Sequence, residues 1–391
     1  MEINVNDVKD RILTKMNEFQ EIDDSKVMTI IEEEIQNHLP YDSLENKMFM
    51  MESIFNQFRR LGVIQPLIDS TNITEIMING HKEIFIEENG IIKKCELCFE
   101  DSETLMQLIQ KIVGLMDRKV NERYPICDVR LKDGSRVNVV LPPIAIGGPY
   151  VTIRKFPVKR FVKKDLIINK TVTEEAMHFL ELCVKKRFNI FVSGGTSSGK
   201  TTLLNVLSDA IGRKERVITI EDSAELQLHD IENLVRLETR MGDDEYVNHI
   251  SIRDLIKSSL RMRPDRIIVG EVRGEETIDM LQCMNTGHDG SLSTGHGNST
   301  IEMLIRLETM VLSAIELPLI AIRQQIASAI DLMVHIQKIE GKGRRIMEIS
   351  EVLSVQNEHI QLNSIYIYDS TKDALVRTNN RVENQIKLEH N

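Results

Sequence analysis

Tryptophan is absent from the 391 residues and aromatic residues of all kinds make up 4%, so Leu, Ile, Val and 18 methionines must fill the core. So few aromatics also argue against a surface that stacks single-stranded bases. Long apolar runs are missing: no window approaches the roughly 18 consecutive apolar residues of a spanning helix. The start, MEINVNDVKD, has no basic-then-apolar leader, and a cytoplasmic protein is the expectation. Cysteine is sparse and odd in number, at positions 95, 98, 127, 183 and 283, which excludes a disulfide framework and suits a reducing compartment. Cys95 and Cys98 form a CxxC, but no second pair or His follows at zinc spacing, so they read as ordinary half-buried thiols. Positive charge is in deficit, 49 basic against 60 acidic residues for a net −11. A broad attraction to nucleic acid or anionic lipid is therefore not expected. One local exception is the basic run Lys155 to Lys164, KFPVKRFVKK.

What is present suits a soluble protein of two or three domains, with 41% hydrophobic and 28% charged residues. Residues 1–62 read as a helical segment, with Ile30, Ile31 and Ile35, then Met48, Met51, Ile54, Phe55 and Phe58, at helical spacings. From 63 to 156 short β-branched runs with turn signals, and a helix over Thr104–Met116, imply a small α+β domain. Residues 157–172 are basic and aperiodic, a linker or hinge. Beyond them helix and strand alternate, the pattern of a parallel sheet with crossover helices. Helices are expected over Met177–Lys186, Thr201–Ala210 and Ile252–Leu260, and strands over Phe188–Ser193, Arg216–Glu221 and Arg266–Val272. LMVHIQKI and RRIMEISEV flank Gly341-Lys342-Gly343 and read as a hairpin near the sheet edge. The tail, 370–391, is polar and expected to be loosely ordered.

Gly194-Gly195-Thr196-Ser197-Ser198-Gly199-Lys200-Thr201 fits G-x-x-x-x-G-K-[ST] between an apolar run and the helical run that continues through Thr202. The glycines let successive backbone N–H groups turn around phosphate oxygens, and the helix beginning at Lys200 adds its positive end. Lys200 should reach the β and γ phosphates of ATP, and the Thr201 hydroxyl should hold Mg²⁺. Hydrolysis also needs a carboxylate to orient water, at the carboxyl ends of strands beside the P-loop strand. Glu221 with Asp222, and Glu271, are in place for it; Gly270 stands where an Asp would be usual. A Gly-, Ser- and Thr-rich stretch, Thr286 to Asn298, carries His288 and His296, and His296 is placed to sense a γ phosphate.

With these pieces in this order the chain strongly resembles the secretion-superfamily ATPases of type II, type IV and tight-adherence pilus systems, above all the CpaF type. The matching segments run over about 60–365 and include YPICDVRLKDGSRVNVVLPP, VTIRKF, GGTSSGKTTLLN, ITIEDSAEL, VRLETR, RDLIKSSLRMRPDRIIVGEVRG, MNTGHDGS and STGHGNST. The resemblance implies an α/β fold: a RecA-like P-loop domain over 173–369 with a mainly parallel sheet, preceded by a PAS-like α+β domain. It implies a homo-hexamer at the cytoplasmic face of the inner membrane, working with platform proteins and moving pilin or secreted protein indirectly. No specific nucleic acid is expected. By motif position Lys200 and Thr201 belong to the Walker A, Glu221 to the Asp box, Glu271 is the catalytic glutamate (reaching Mg²⁺ through water) and His296 belongs to the His box.

Arginines of the N-terminal domain complete the site in that family, and the matching candidates are Arg130, Arg136 and Arg154. A two-residue Asp133-Gly134 hairpin would pair Arg136 with Leu131 and Arg130 with Val137, on opposite faces. Arg136 and Arg154 are therefore favoured, with Arg130 as the spare. Arg240, Arg261, Arg263 and Arg273 are unranked candidates for phosphate or subunit contacts. Ser197 replaces a common Gly, and Gly295 and Gly297 flank His296 where larger residues are usual. The absence of a four-cysteine zinc module favours the pilus-type branch. A nucleic-acid motor, a small-molecule kinase and a non-catalytic scaffold are the competing readings.

Overall fold

Asp23 and Ser43 stand just ahead of apolar-periodic runs, and each side chain accepts a first-turn backbone N–H, from Lys26 and Asn46. Such caps satisfy donors that a helix start leaves unpaired. In the computed structural model, which describes residues 5–19, 22–116, 118–156, 160–240 and 249–389, they open two of three helices: α1 (Val5–Asn17), α2 (Asp24–His38) and α3 (Leu44–Arg59). Val8, Ile12, Val27, Ile31, Ile35 and Ile54 form their shared core. Met48, expected on the apolar face, is instead exposed along with Leu44 and Phe49. Met50 and Met51 are the first apolar side chains of α3 to pack against that core.

A 3-10 turn (Gly62–Ile64) and α4 (Gln65–Asp69) lead to β1 (Ile73–Asn79), β2 (Ile84–Glu88), β3 (Ile91–Lys94), α5 (Ser102–Gly114), β4 (Ile126–Arg130), β5 (Arg136–Val140) and β6 (Tyr150–Arg154). The strands pair antiparallel in the order β3-β2-β1-β6-β5-β4. One sheet face, with Ile76, Ile78, Val137, Val139 and Ile153, packs on Leu105, Ile109 and Ile112 of α5. From α5, Lys111 Nζ donates to the carbonyls of Gln57, Phe58 and Arg60, capping the end of α3.

Register on the polar face corrects an expectation. Arg130 pairs with Arg136, Arg136 with Arg154, and Arg154 with Glu75, so the three arginines share one face. The β4–β5 connection is not two residues long. It takes in Leu131 through Ser135, closed by Leu131 N–H to Ser135 O at 2.8 Å and by Asp133 accepting the Ser135 N–H.

The second unit of the chain, Lys159–Asn391 as against Met1–Val158, opens with α6 (Lys163–Ile168) and α7 (Glu174–Lys185). Residues 157–159 of the expected linker lie outside the described residues. The rest of it is built into this unit: Leu166, Thr171 and Val172 are buried and Thr171 O accepts Ile346 N–H.

There follow β7 (Ile190–Gly194), α8 (Lys200–Ser208), β8 (Arg216–Glu221), β9 (Asn233–Glu238), α9 (Ile252–Ser259), β10 (Arg266–Val272), α10 (Glu276–Asn285), β11 (Leu292–His296), α11 (Thr300–Ala314), α12 (Leu319–Ala329), β12 (Leu332–Ile339), β13 (Gly343–Gln356), β14 (His359–Asp369), β15 (Ala374–Arg377) and α13 (Gln385–Glu389). Among the described residues the sheet order is β15-β14-β13-β12-β7-β11-β10-β8-β9. From β12 to β9 every pairing is parallel, and β13, β14 and β15 extend the sheet antiparallel. This is the α/β arrangement of a P-loop domain. Apolar residues alternate between two cores, Ile190 and Val192 facing α7 and α8, Phe191 facing α10 and α11.

Two expectations fail here. The hairpin of β12 and β13 is interior, with β12 directly beside β7. The tail through residue 389 is ordered: β15 joins the sheet, Val382 is buried, and Lys387 pairs with Asp331 at 2.7 Å. Its polar composition misleads because its anchors are ionic: buried Glu351 accepts the N–H groups of Glu383 and Asn384. Residues 390 and 391 lie outside the described residues.

At the other end of the strands Arg266 is fully buried. Its guanidinium meets Glu215 at 2.8 and 3.0 Å, and also donates to the carbonyls of Val184 and Gly290. Replacing it would take two hydrogen bonds from Glu215, which keeps Arg187 at 2.7 Å, and a donor from each of two carbonyls. Arg266→Ala is expected to lower the unfolding free energy by about 3 kcal/mol, measured by urea titration of the far-ultraviolet signal.

Candidate nucleotide site

Strand β7 ends in Gly194 because nothing larger fits. A Cβ there would lie 2.3 Å from the Ile336 carbonyl oxygen and 2.6 Å from Ser198 Oγ. The chain then turns through Ser197 at φ 56° and Gly199 at φ 100°, conformations suited to a loop that curls its amides inward. Gly199 is the N-cap of α8, where no side chain competes for the first-turn N–H groups, so that end is open to an anion. Ser198 Oγ is buried and bonded to nothing, a donor in want of an acceptor. These features fit a nucleotide's phosphates. Thr196 and Ser197 are exposed on the loop, Gly195 is half-buried, and Thr201 and Thr202 follow half-buried on the first turn of α8.

Lys200 is buried and donates to the carbonyls of Gly194 at 3.1 Å and Gly195 at 2.9 Å. Its Nζ also lies 3.1 Å from His296 Nδ1. Since an ammonium only donates, Nδ1 accepts, leaving the proton on Nε2. Nε2 lies 2.8 Å from Glu271 Oε1, close enough for an ion pair but without hydrogen-bond alignment. Burial, then the cations of Lys200, Arg273 and Arg306, hold His296 below the ordinary imidazole value against the pull of Glu271. Glu271 Oε2 accepts from Arg273 Nη2 at 2.7 Å and Nε at 3.1 Å, and Arg273 Nη1 lies 3.7 Å from Asp222. The result is a continuous chain of Lys200, His296, Glu271, Arg273 and Asp222 along the carboxyl ends of the strands.

Strand order refines the expected placement of the carboxylates. Beside β7 lie β12 and β11, so His296 on β11 is the near neighbour; β10 with Glu271 is one strand further, and β8 with Glu221 further still. A bulge brings Glu271 back: Val269 and Val272 of β10 pair with Ser293 and Gly295 of β11, leaving one extra residue on β10. Gly270 sits in that bulge and its carbonyl accepts Thr294 Oγ1 at 2.7 Å. It has no side chain because a Cβ would come 2.9 Å from Glu221 Cγ.

Glu221 plays a different part. It is 4% exposed, and its Oε1 accepts the N–H groups of Glu225 and Leu226 at 2.8 and 2.9 Å, folding the loop after β8. Oε2 is buried with no partner. Burial pushes this carboxyl up to about 7, against the two N–H bonds that favour its charged form.

Gly295 and Gly297 leave room for Met303 rather than freeing the histidine: a Cβ on either would come within 2.8 or 3.0 Å of it. His288 touches the Cys283 carbonyl, away from this chain of contacts. Arg261 and Arg263 are exposed ahead of β10, at the opposite ends of the strands. Arg240 bridges to Ile250 just past β9. Arg130, Arg136 and Arg154 belong to the sheet of the first unit.

Sequence reasoning missed two groups. Arg344 Nε donates to Ser197 O at 3.1 Å. His335 Nδ1 lies 2.9 Å from Ser193 Oγ, and Gln337 Nε2 donates to Asn298 O at 3.0 Å, steadying the loop after His296. Both come from the hairpin placed at the edge, where no neighbour was expected.

A family model described as "Type II/IV secretion system protein" matches residues 57–382. The conjugal transfer protein TrbB of Rhizobium radiobacter is 33% identical over 300 residues, 75% of this chain and 88% of that protein. The type IV secretion system protein PtlH of Bordetella pertussis is 30% identical over 316 residues, 74% of this chain and 93% of that one. Among solved structures, the pilus retraction motor PilT with bound ADP is 20% identical, covers 84% of this chain and 86% of its own, and gives a TM-score of 0.54, a likeness of fold.

The carboxyl of Glu221 generates a pH prediction. Its folded value lies above that of the free side chain, so the folded state holds the extra proton and the group's contribution is full below about 4.5. That contribution is lost as pH rises through about 7. Glu221→Gln should therefore gain stability relative to the parent between pH 5 and pH 8, by up to about 3 kcal/mol. Parallel thermal melts across that range would check it; a constant difference would refute the assignment.

Proposed function

This chain belongs to the type II/IV secretion system protein family and is an ATPase, and on that premise we propose that it is a ring-forming motor of six identical subunits. Hydrolysis of ATP would power pilus assembly or protein secretion across the bacterial envelope, with a tight-adherence pilus as the favoured machine. The observation that carries the reading is the chain of Lys200, His296 and Glu271, from the start of α8 to the neighbouring strands β11 and β10. It joins the phosphate loop to a carboxylate that can orient water.

In this reading Lys200 binds the β and γ phosphates, and Glu271 accepts a hydrogen bond from the attacking water as the bond from the γ phosphorus to the bridging oxygen breaks. Neutral His296, with Nε2–H toward Glu271 and Nδ1 toward Lys200, reports whether the γ phosphate is engaged. Mg²⁺ would be held by the Thr201 hydroxyl and, through water, by Glu271, and supplies neutralising charge on the phosphates. The arginine row of Arg130, Arg136 and Arg154 supplies further cations to the γ phosphate in the assembled ring, favouring closure before hydrolysis and release after it. Arg136 stands in the middle of that row and is the first to test.

No helix among the described residues is long and apolar enough to cross a membrane. The proposed seat is the cytoplasmic face of the inner membrane, against platform proteins, with pilin or secreted protein as indirect cargo and no specific nucleic acid. The relatives named for conjugal transfer and type IV secretion favour a second reading, an ATPase of a type IV secretion apparatus. Gene deletion in the native host separates them: loss of surface fibres supports the first, loss of conjugal transfer or effector export the second.

Purified protein should elute as a six-subunit species by size exclusion with light scattering and hydrolyse ATP. Glu271→Gln should lower kcat by at least about 100-fold while ADP binding persists, and His296→Ala by about 10- to 100-fold. A monomer whose turnover survives Glu271→Gln would overturn the motor reading.

A further inference from the structure

We propose that Arg344 is a positioning residue of the nucleotide site, holding the phosphate loop in its binding shape, and that the C-terminal strands anchor it through Arg345 and Asp373. The other residues assigned to the site come from β7 and the loop after it, α8, β10 and β11. This residue comes from β13, which lies outside the parallel part of the sheet.

Three contacts define the arrangement. Arg344 Nε donates to the carbonyl of Ser197 at 3.1 Å. Ser197 has φ 56°, a left-handed conformation that a non-glycine residue adopts only when its surroundings hold it there. The arginine's stem covers the same loop at Gly199, where a Cβ would lie 2.9 Å from Arg344 Cδ. Gly199 is thus required both for its φ of 100° and for the room it leaves the arginine.

The peptide unit translates this grip into the shape of the loop. Carbonyl and N–H of one planar peptide point in opposite directions, so holding the Ser197 oxygen fixes the Ser198 N–H on the other side, where it donates to Gly195 O at 3.4 Å and closes the turn of the phosphate loop. A guanidinium on that carbonyl also polarises the amide and strengthens its N–H as a donor.

The anchor lies one residue on. Arg345 is 4% exposed and grips Asp373, in the turn between β14 and β15, through two bonds of 3.0 and 3.1 Å. Its Nη1 donates to Asn169 O and to the backbone carbonyl of Arg344 itself, at 3.0 and 2.9 Å. Tyr368 Oη donates to the same aspartate at 2.8 Å. Bonds from Arg345 and then Tyr368 hold the Asp373 carboxyl far below the ordinary range, so it stays charged at any working pH. The phosphate loop is therefore tied, through Arg344 and Arg345, to a turn more than a hundred residues later in the chain.

The test is steady-state ATP hydrolysis with titration of a fluorescent ADP analogue on the full-length chain. Arg344→Ala should raise KM for ATP and Kd for ADP about tenfold, with kcat within twofold because Lys200, His296 and Glu271 are untouched. Arg344→Lys keeps the charge but not the Nε–H, and should stay at least threefold above the parent; full recovery would mean that charge alone acts. Asp373→Asn, which touches no loop atom, should raise KM about threefold in the same direction. A merely structural role would instead lower the melting temperature and kcat with KM unmoved. Values of KM and Kd in Arg344→Ala within twofold of the parent would overturn the proposal, and an unaffected Asp373→Asn would overturn its anchoring half. A parent protein that binds no ADP would sink the nucleotide reading itself, a separate outcome.

Discussion

Where β7 meets β12, the backbone of Gly194 runs against the Ile336 carbonyl with no room for a methyl group. That close approach is the constraint from which the site follows. It forces the chain to turn at once, which curls the amides of the next residues toward a common centre and starts α8 at Lys200. Because the adjoining strand on the other side is β11, the same geometry sets His296 beside the lysine. Backbone packing thus places the cation and the imidazole before any side-chain preference is consulted.

Two carboxylates near this point divide the work by burial. Glu221 spends its hydrogen bonds on the loop after β8 and is shielded from solvent, which raises its carboxyl to about 7 and makes it part of the loop's structure. Glu271 has an arginine on one oxygen and an imidazole near the other, and its side chain is 19% exposed. Gly270 connects the two roles, since its missing side chain is the space that Glu221 fills.

The alternation of helix and strand was legible, and the strands Arg216–Glu221 and Arg266–Val272 carry the bounds expected of them. Lys200, His296 and Glu271 were legible as a set because loop glycines and strand ends mark them locally. Three features were not. The parity of the arginines depended on counting the connection at Asp133-Gly134, and a dipeptide that often makes a two-residue turn here sits inside a longer one held by Ser135. The tail looked loosely ordered because an ion pair to Asp331 and backbone hydrogen bonds to Glu351, both distant in sequence, do the work that apolar periodicity would have advertised. Arg344 was invisible because its partner is a backbone carbonyl, which no sequence pattern names.

The charged row on the first unit's sheet runs from Glu87 through Glu75 to Arg154, Arg136 and Arg130. Side chains on a strand alternate faces, so the facing of this row is set by which residues pair across the sheet rather than by the length of the loop between β4 and β5. A slip of β5 by one place against its neighbours would carry Arg136 into the apolar layer on α5 and bring Val137 out to solvent, so the arginine row and the core beneath it are fixed by one and the same register.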